Sequence, residues 1–349
     1  MMGSKDIMRN SMKVGVAIEE TWAFFRDIYA DLQANYQVHL FENKTTTLPL
    51  LSDRVNRYYY QQGLQNLLQK NEVVFFEWAS ELLASASQLP KTCGIVARLH
   101  RYEMYRWIDK INWEVVDHLI LVSEAKRDEF LSHVPQMASR VSVIPEAVSL
   151  ERFTTFEKPF TGDIGTLCSL IPRKRVYELI LAFAQLQKEF PAIRLHIAGP
   201  EREIFAEYAQ ALYRLTQRLN LAGQVIFYGK VDEPEKWYRN LDIFISNSYS
   251  EGLQVSLLEA MASGVYSLSH YWEGAEEILP PENLYFSEGE LIKLISRYMR
   301  LSEEQRVEEK IRLTGLVAGK SNSQNTIQAI RQVIDQVGST WRTRAPIQL

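Results

Sequence analysis

The stretch Ser246–Ile278, SNSYSEGLQVSLLEAMASGVYSLSHYWEGAEEI, joins a strand end, a loop and a helix start. The run just before it, Leu241–Ser246 (LDIFIS), is almost wholly apolar and predicts a buried strand. The run Val255–Ala262 (VSLLEAMA) carries apolar residues at helical spacing. The residues between them are therefore predicted to form a loop that leads into a helix at the end of a strand.

The start of this helix has the character of an anion-binding site. Backbone N–H groups in the first turn have no intrahelical acceptor and lie at the positive end of the helix dipole, so they suit a diphosphate. A glycine at position 252 lets a ligand approach the backbone closely. The candidate donor-binding residues here are Gly252, Leu253, Gln254 and Val255.

Two glutamates flank the helix start. Glu251 precedes it, at the mouth, and Glu259 lies two turns further along the helix. A carboxylate accepts two hydroxyl hydrogen bonds, which suits a ribose or a hexose. Glutamates on an amphipathic helix are also common on solvated surfaces, so the spacing alone leaves both interpretations open.

The whole stretch resembles the nucleotide-sugar signature of the retaining GT-B glycosyltransferases of family four, the glycosyltransferase group 1 type. Glu251 and Glu259 fall on the two signature glutamates, Gly264 on the glycine after the helix, and Gly274–Ile278 on the Gly-x-x-Glu-Ile segment. The resemblance implies an α/β GT-B fold, with two doubly wound Rossmann-like domains facing across a cleft. It also implies that Glu251 positions the donor sugar as a catalytic residue and that Glu259 holds the ribose.

Strands and helices alternate along the chain, as expected for parallel sheets covered on both faces. We predict an N-terminal Rossmann-like acceptor-side domain over residues 13–150 and a C-terminal Rossmann-like nucleotide-sugar-binding domain over residues 162–325. Residues 146–163 lack periodicity and are taken as the linker. Residues 326–349 are predicted to form a C-terminal helix that packs back on the N-terminal domain.

A basic loop, Pro172-Arg173-Lys174-Arg175, lies between a strand end and a helix in the second domain. A diphosphate at the carboxyl edge of the sheet would meet these cations as well as backbone dipoles. Lys174 matches a catalytic lysine of the family, whereas the family's arginine falls on Ser169, so Arg173 or Arg175 would supply the lost charge. No Asp-x-Asp motif occurs, and we expect these groups and helix-start amides to balance leaving-group charge without a metal.

Two further positions are assigned by the resemblance. Gly229, within Phe227–Val231 (FYGKV), falls on the segment whose backbone faces the nucleotide base. His100 closes the strand GIVARL and falls on the histidine that faces the donor sugar, so it is a third catalytic candidate. Arg101 and Glu103 follow it as acceptor-contact candidates.

The first loop departs from the family pattern. Where the family has glycines after the first strand, this chain has Glu19-Glu20-Thr21-Trp22. Two acids repel phosphate but bind hydroxyls, and a tryptophan ring stacks on a sugar face. Glu19 and Trp22 are therefore predicted to contact the acceptor, or else the donor sugar. Acids are also favoured near helix N-termini, so a role in covering a helix end is the alternative.

Composition limits the remaining function classes. A chain of 349 residues with 46% hydrophobic and 23% charged residues suits two globular domains, and a net charge of −4 argues against a nucleic-acid partner. Two cysteines indicate no disulfide framework, and no apolar run reaches membrane-spanning length, so we expect a soluble, cytoplasmic protein. Peripheral contact with a membrane is compatible with this composition.

The function predicted from the sequence is retaining transfer of a hexose from a nucleotide sugar, linked to UDP or GDP, to a glycan or other hydroxyl acceptor. The nucleotide sugar is a substrate, and no cofactor is expected. A glycosyl phosphorylase on the same fold is one alternative, although no lysine-bound pyridoxal signature is visible. A catalytically silent GT-B partner or glycan-binding subunit is another, favoured by the missing glycines and by Ser169.

Overall fold

The computed structural model describes residues 12–22, 25–45 and 52–344 of the chain. The chain divides into two compact units, each built on its own sheet. The first unit comprises the residues up to Pro145 together with those from Gln324 onward, and the second comprises Glu146–Ser323. None of the helices in the described ranges is both long and apolar enough to cross a membrane.

The first unit contains a parallel sheet of six strands. Its central strands are buried at every residue, which explains why VVFF is a continuous apolar run and why GIVARL is apolar apart from Arg98. In chain order the strands are β1 (Lys13–Ala17), β2 (Gln37–Leu40), β3 (Val73–Phe76), β4 (Gly94–Leu99), β5 (His118–Leu121) and β6 (Val141–Val143). Their order in the sheet is β2-β1-β3-β4-β5-β6.

Helices connect these strands. They are α1 (Arg26–Asn35), α2 (Ser52–Lys70), α3 (Glu81–Ala86) and α4 (Glu124–His133). Helix α4 begins after Ser123, whose side chain accepts a hydrogen bond from the backbone N of Lys126 at 3.2 Å. This cap satisfies one first-turn amide.

The second unit contains another parallel sheet of six strands, in the order β12-β11-β10-β7-β8-β9. The strands are β7 (Ile164–Leu167), β8 (Leu195–Ala198), β9 (Val225–Gly229), β10 (Ile243–Ser246), β11 (Tyr266–His270) and β12 (Leu284–Tyr285). The helices are α5 (Val176–Glu189), α6 (Ala206–Arg218), α7 (Pro234–Tyr238), α8 (Val255–Ala262), α9 (Glu288–Met299) and α10 (Glu303–Lys320).

Residues 146–163, predicted as the linker, belong to the second unit. Val148 forms a β-bridge with Asn322, and Phe153 is buried in the core of that unit. The last helix, α11 (Ser323–Arg344), begins where the second unit ends. Its residues Ile330 and Ile334 are fully buried in the core of the first unit, so the chain returns to that unit at its C-terminal side.

Candidate functional site

The order of strands in the second sheet marks where a ligand is expected. From β7 the chain proceeds to β8 and β9 on one side, and then crosses to β10, β11 and β12 on the other side. Parallel sheets bind ligands outside the carboxyl ends of the strands at such a reversal. The loops that follow β7 and β10 meet there, because the backbone N of Tyr249 donates to the carbonyl of Arg173 at 3.2 Å.

These two loops bring the basic segment onto the first signature glutamate. Lys174 Nζ lies 2.5 Å from Glu251 Oε1, and Arg173 Nη1 lies 2.8 Å from Glu251 Oε2. The Glu251 side chain is 8% exposed. Burial raises the pKa of this carboxyl, but Lys174 and then Arg173 outweigh burial and hold the pKa at about 2. Glu251 is therefore ionised at neutral pH, and the three residues carry one net positive charge.

Arg175 is not part of this ion-pair group. Its Nε lies 3.8 Å from Glu178, and its backbone adopts the left-handed region at φ 50°. Such a conformation is costly for a residue with a side chain and persists where neighbours over-determine it. Here the carbonyl of Arg175 accepts a hydrogen bond from Asn247 Nδ2 at 2.8 Å. Of the two arginines proposed to replace the family's arginine, Arg173 is the one that lies beside Lys174 and Glu251.

Helix α8 begins where the sequence predicts, with Gln254 as its N-cap. The Gln254 side chain is already engaged, since it accepts a hydrogen bond from Ser246 Oγ and donates to Ser256 Oγ at 3.0 Å. Gln254 can therefore bind the nucleotide sugar only through its backbone. The backbone N–H of Leu257 already donates to the carbonyl of Gln254 at 3.1 Å. The amides of Val255 and Ser256, at the first two helical positions, are therefore the groups that suit a phosphate.

The second signature glutamate has a separate environment. The Tyr238 hydroxyl lies 2.9 Å from Glu259 Oε2 and 3.0 Å from the carbonyl of Ser256. Burial raises the pKa of Glu259 to about 7, despite the opposing effects of Tyr238 and Arg152. Glu259 thus titrates near neutral pH, whereas Glu251 does not.

Gly229 and Gly264 both have positive φ angles, which favour glycine. Gly229 ends β9 at φ 64°, and no described atom lies within 4 Å of the place a Cβ would occupy, so its backbone is open to a ligand. Gly264 follows α8 at φ 74°, where its N–H donates to the carbonyl of Met261. It ends the helix, and its role is structural.

In the first unit, His100 lies at the end of β4 and is 8% exposed. Its Nε2 lies 3.2 Å from the carbonyl and 3.4 Å from Oε1 of Glu77, and its ring stacks on Trp78 at a centroid distance of 4.0 Å. Glu77 also accepts a hydrogen bond from Arg98 at 3.0 Å, with both side chains fully buried. Glu77 was not identified from the sequence, although it directly follows the apolar run VVFF.

The two residues predicted as acceptor contacts after His100 differ. Glu103 is fully buried and accepts hydrogen bonds from the backbone N of His100 at 3.3 Å and of Arg101 at 3.0 Å. Burial raises the pKa of Glu103. This carboxyl stabilises the loop and presents no face to an acceptor, so Glu103 is not retained as a contact. Arg101 is partly exposed and stacks on Tyr105 at 4.9 Å.

The unusual first loop is held by its own hydrogen bonds. Asn43 Nδ2 donates to Glu19 Oε1 at 2.9 Å, and the Tyr102 hydroxyl donates to Glu20 Oε1 at 2.7 Å. Burial raises the pKa of Glu19. The Trp22 ring is partly buried and packs edge-on against Tyr29 at 5.2 Å, which leaves part of the ring exposed.

Comparison with known families and proteins adds independent information on the second unit. Residues 162–312 match the model of the family described as glycosyl transferases group 1. The alpha-monoglucosyldiacylglycerol synthase of Streptococcus pneumoniae is 30% identical over 172 residues, which is 44% of this chain and 37% of that protein. The phosphatidylinositol N-acetylglucosaminyltransferase gpi3 subunit of Schizosaccharomyces pombe is 27% identical over 185 residues, which is 52% of this chain and 40% of that protein. The matches thus span less than half of the length of these two relatives.

Solved structures resemble the chain over almost its whole length. HepE of Anabaena in complex with UDP-glucose has a TM-score of 0.79 at 17% identity, covering 93% of this chain and 100% of that chain. Sucrose-phosphate synthase of Thermosynechococcus elongatus has a TM-score of 0.76 at 15% identity, covering 94% and 100%. At these identities the likeness establishes the fold, and the α/β GT-B class with two Rossmann-like units is confirmed.

Proposed function

We propose that this chain, whose residues 162–312 match the family described as glycosyl transferases group 1, is a retaining, metal-independent hexosyltransferase. It would take the sugar from a nucleoside diphosphate sugar and place it on a glycan or other hydroxyl acceptor. The observation that carries the proposal is the meeting of Lys174, Arg173 and Glu251 beside the start of α8, at the reversal of strand order.

The charge arrangement supports exchange of partners when a donor binds. Both cations contact the Glu251 carboxylate. An incoming diphosphate competes for Lys174 and Arg173, and a cation that turns to phosphate releases a carboxylate oxygen. The released oxygens of Glu251 then accept hydrogen bonds from hydroxyls of the donor sugar. One group of residues thus serves both halves of the donor.

The resemblance to the retaining family implies the following bond changes. The bond from the anomeric carbon to the β-phosphate oxygen breaks, and the acceptor hydroxyl attacks on the face that the phosphate leaves. The acceptor proton passes to the departing phosphate oxygen. Negative charge grows on that oxygen in the transition state, where Lys174, Arg173 and the α8 amides stabilise it. These cations supply the positive charge that a divalent ion provides elsewhere, and this is the basis for proposing metal independence.

The remaining residues bind without taking part in bond changes. Glu259 is proposed to hold the ribose, and the open backbone at Gly229 to face the base. UDP is the favoured donor nucleotide, because HepE of Anabaena is known in complex with UDP-glucose. A GDP-linked donor is the alternative.

In the first unit, His100 is proposed to contact the donor sugar. Glu19, Trp22 and Arg101 are proposed to bind the acceptor. These assignments do not depend on the diphosphate group, so variants in the two units test them separately.

The second candidate function is a catalytically silent GT-B subunit that binds a glycan or a partner. The replacement of the family's arginine by Ser169 and of its glycines by Glu19 and Glu20 favours it. A relative named as a subunit, gpi3, is consistent with such a role. Glu251, Lys174 and Glu259 argue for an enzyme, since a silent subunit needs no charge balance at a diphosphate site.

A donor screen separates ligand binding from its absence. Thermal unfolding of the full chain is followed with UDP-glucose, UDP-galactose, UDP-N-acetylglucosamine and GDP-mannose. A ligand at one hundred times its dissociation constant adds roughly 2.7 kcal/mol to the free energy of unfolding. Stabilisation by a UDP or GDP sugar supports the proposal, whereas identical unfolding in all four would remove the nucleotide-sugar site.

A further inference from the structure

Two aromatic rings stack at the carboxyl edge of the second sheet, outside the diphosphate site. The rings of Tyr271 and Phe286 lie 4.6 Å apart between centroids, with planes inclined by 24°. Phe286 is 64% exposed and Tyr271 partly exposed. They directly follow β11 and β12, the two strands at one edge of the sheet. We call this pair the aromatic platform.

The platform is held firmly by its backbone. The Tyr271 N–H donates to the carbonyl of Tyr285 at 2.8 Å, and the Phe286 N–H donates to Glu290 Oε2 at 2.7 Å. Glu290 also forms the capping box of α9 with Ser287. Two exposed rings on a fixed backbone lose little conformational entropy when a ligand covers them, which is the property of a prepared binding surface.

A chain of buried hydrogen bonds joins the platform to the diphosphate site. The Tyr285 hydroxyl donates to Asn247 Oδ1 at 2.7 Å, and Asn247 Nδ2 donates to the carbonyl of Arg175 at 2.8 Å. Tyr285 is adjacent in sequence to Phe286, and Arg175 is adjacent to Lys174. The platform and the basic loop are therefore fixed to the same framework within the second unit.

The order of strands in the sheet places the platform on the sugar side of the proposed donor, away from the nucleotide. Lys174 follows β7 and Gly229 ends β9, so the nucleotide lies over that half of the sheet. Glu251, proposed to contact the sugar, follows β10. The platform follows β11 and β12, on the opposite side of β10. Whatever binds the platform lies beyond the donor sugar and not on the nucleotide side.

The chemistry of the platform suits an uncharged sugar. Aromatic faces pack against the apolar C–H face of a pyranose ring, and carboxylates accept hydrogen bonds from its hydroxyls. The Tyr271 hydroxyl donates to Glu276 Oε1 at 3.2 Å, and Glu273 is exposed beside it. These two acids repel an anionic ligand. We propose that Tyr271 and Phe286 form a subsite for a neutral pyranose ring of the acceptor, an inference that rests on the proposed transferase function.

The test begins with sugar binding in the absence of nucleotide. Saturation-transfer NMR is recorded on the full chain with methyl α-glucoside, methyl α-galactoside and methyl α-mannoside. At least one of these sugars is expected to bind the wild type. Its saturation-transfer signal should disappear in the double variant Phe286→Ala/Tyr271→Ala and persist in Tyr271→Phe. Tyr59→Ala, which removes a ring 46% exposed on α2, is the control for loss of any surface tyrosine.

Binding of none of the three sugars to the wild type, or equal binding by the double variant, overturns the subsite. Concentration-dependent dimerisation that the double variant abolishes would assign the platform to a second copy of the chain instead. Circular dichroism verifies that the double variant is folded. Because Phe286 is exposed and Tyr271 is partly exposed, folding is expected to be retained.

A second arm separates this inference from the proposed function. Where transfer to a glycan acceptor is detected, Phe286→Ala is expected to raise the acceptor KM by roughly 3- to 10-fold at unchanged nucleotide affinity. An unchanged acceptor KM defeats the subsite and leaves the transferase proposal standing. The other outcome is that the chain binds a methyl glycoside through these rings but binds no nucleotide sugar. That result defeats the transferase proposal and leaves the sugar site standing.

Discussion

Lys174 Nζ lies 2.5 Å from Glu251 Oε1, although the two residues are 77 positions apart in the chain. The contact joins the basic loop after β7 to the signature loop after β10. The strongest candidate phosphate ligand is thus paired with a carboxylate. On donor binding, Lys174 is proposed to leave Glu251 and turn to the diphosphate.

Replacing Lys174 by alanine is expected to depress turnover more than donor binding, because charge on the leaving phosphate grows in the transition state. A loss of roughly 10²- to 10³-fold in kcat is the expected scale for removing such a stabiliser. Steady-state kinetics measures it. Lys188→Ala, an exposed lysine on helix α5, is the matched control and should retain full activity. Equal losses in the two variants would contradict the role of Lys174.

Glu259→Ala is expected to weaken nucleotide and nucleotide-sugar binding alike, because both contain the ribose that Glu259 is proposed to hold. Loss of hydrogen bonds to a charged acceptor costs roughly 1.5–3 kcal/mol. Isothermal calorimetry with UDP and with UDP-glucose tests this. A folded variant with undiminished affinity for both would remove Glu259 from the site.

The pKa of Glu259, raised to about 7, predicts a pH dependence of stability. Between about pH 4.5 and pH 7 the folded state holds a proton that the unfolded state has lost, so the free energy of unfolding falls as pH rises through this window. The contribution is at most about 3 kcal/mol, from the difference between the two pKa values. Urea unfolding of the wild type and of Glu259→Gln should diverge over this range. Parallel curves would contradict the raised pKa.

Glu77→Ala is expected to destabilise the first unit strongly. It breaks the buried pair between the Glu77 carboxylate and the Arg98 guanidinium, and breaking such a pair costs about 3–5 kcal/mol. The control is Glu72→Ala, which removes a partly exposed pair with Arg342 and should cost about 1 kcal/mol or less. Chemical denaturation compares the two. Similar losses of stability in the two variants would show that the Glu77–Arg98 pair contributes no more than an exposed pair.

Trp22→Ala is expected to raise the acceptor KM and leave nucleotide affinity unchanged, since the nucleotide is assigned to the second unit. The ring also packs against Tyr29, so some loss of stability accompanies the change. Trp22→Phe keeps an aromatic face and should restore much of the acceptor affinity. Weaker binding of free UDP at an unchanged acceptor KM would reverse the assignment.

The elements that the sequence predicts best are those with a simple pattern of buried residues. The strand GIVARL and the helix VSLLEAMA lie where predicted, because a buried strand and an apolar-spaced helix each leave a direct pattern. Helix α2 drew no prediction. Its residues Arg57-Tyr58-Tyr59-Tyr60-Gln61-Gln62 place aromatic and polar side chains together and blur the apolar period.

Within the candidate site, the sequence supplied the residues but not their partners. Tyr238 meets Glu259 from 21 positions away, and Lys174 meets Glu251 from 77. Such pairs depend on which strand ends are neighbours, and spacing along the chain does not reveal that order. Glu103 was misjudged for a related reason: a charged residue after a strand reads as exposed loop, whereas here it satisfies two backbone amides.

In the proposed sugar transfer, Lys174, Arg173 and the start of α8 balance the charge of the leaving phosphate. Release of nucleoside diphosphate from a panel of UDP and GDP sugars, with and without a chelator, tests it most directly. We predict release from at least one donor, undiminished by chelation and lost in Lys174→Ala. Activity that disappears on chelation and returns with magnesium or manganese, or release that Lys174→Ala leaves intact, would contradict charge balance by these residues.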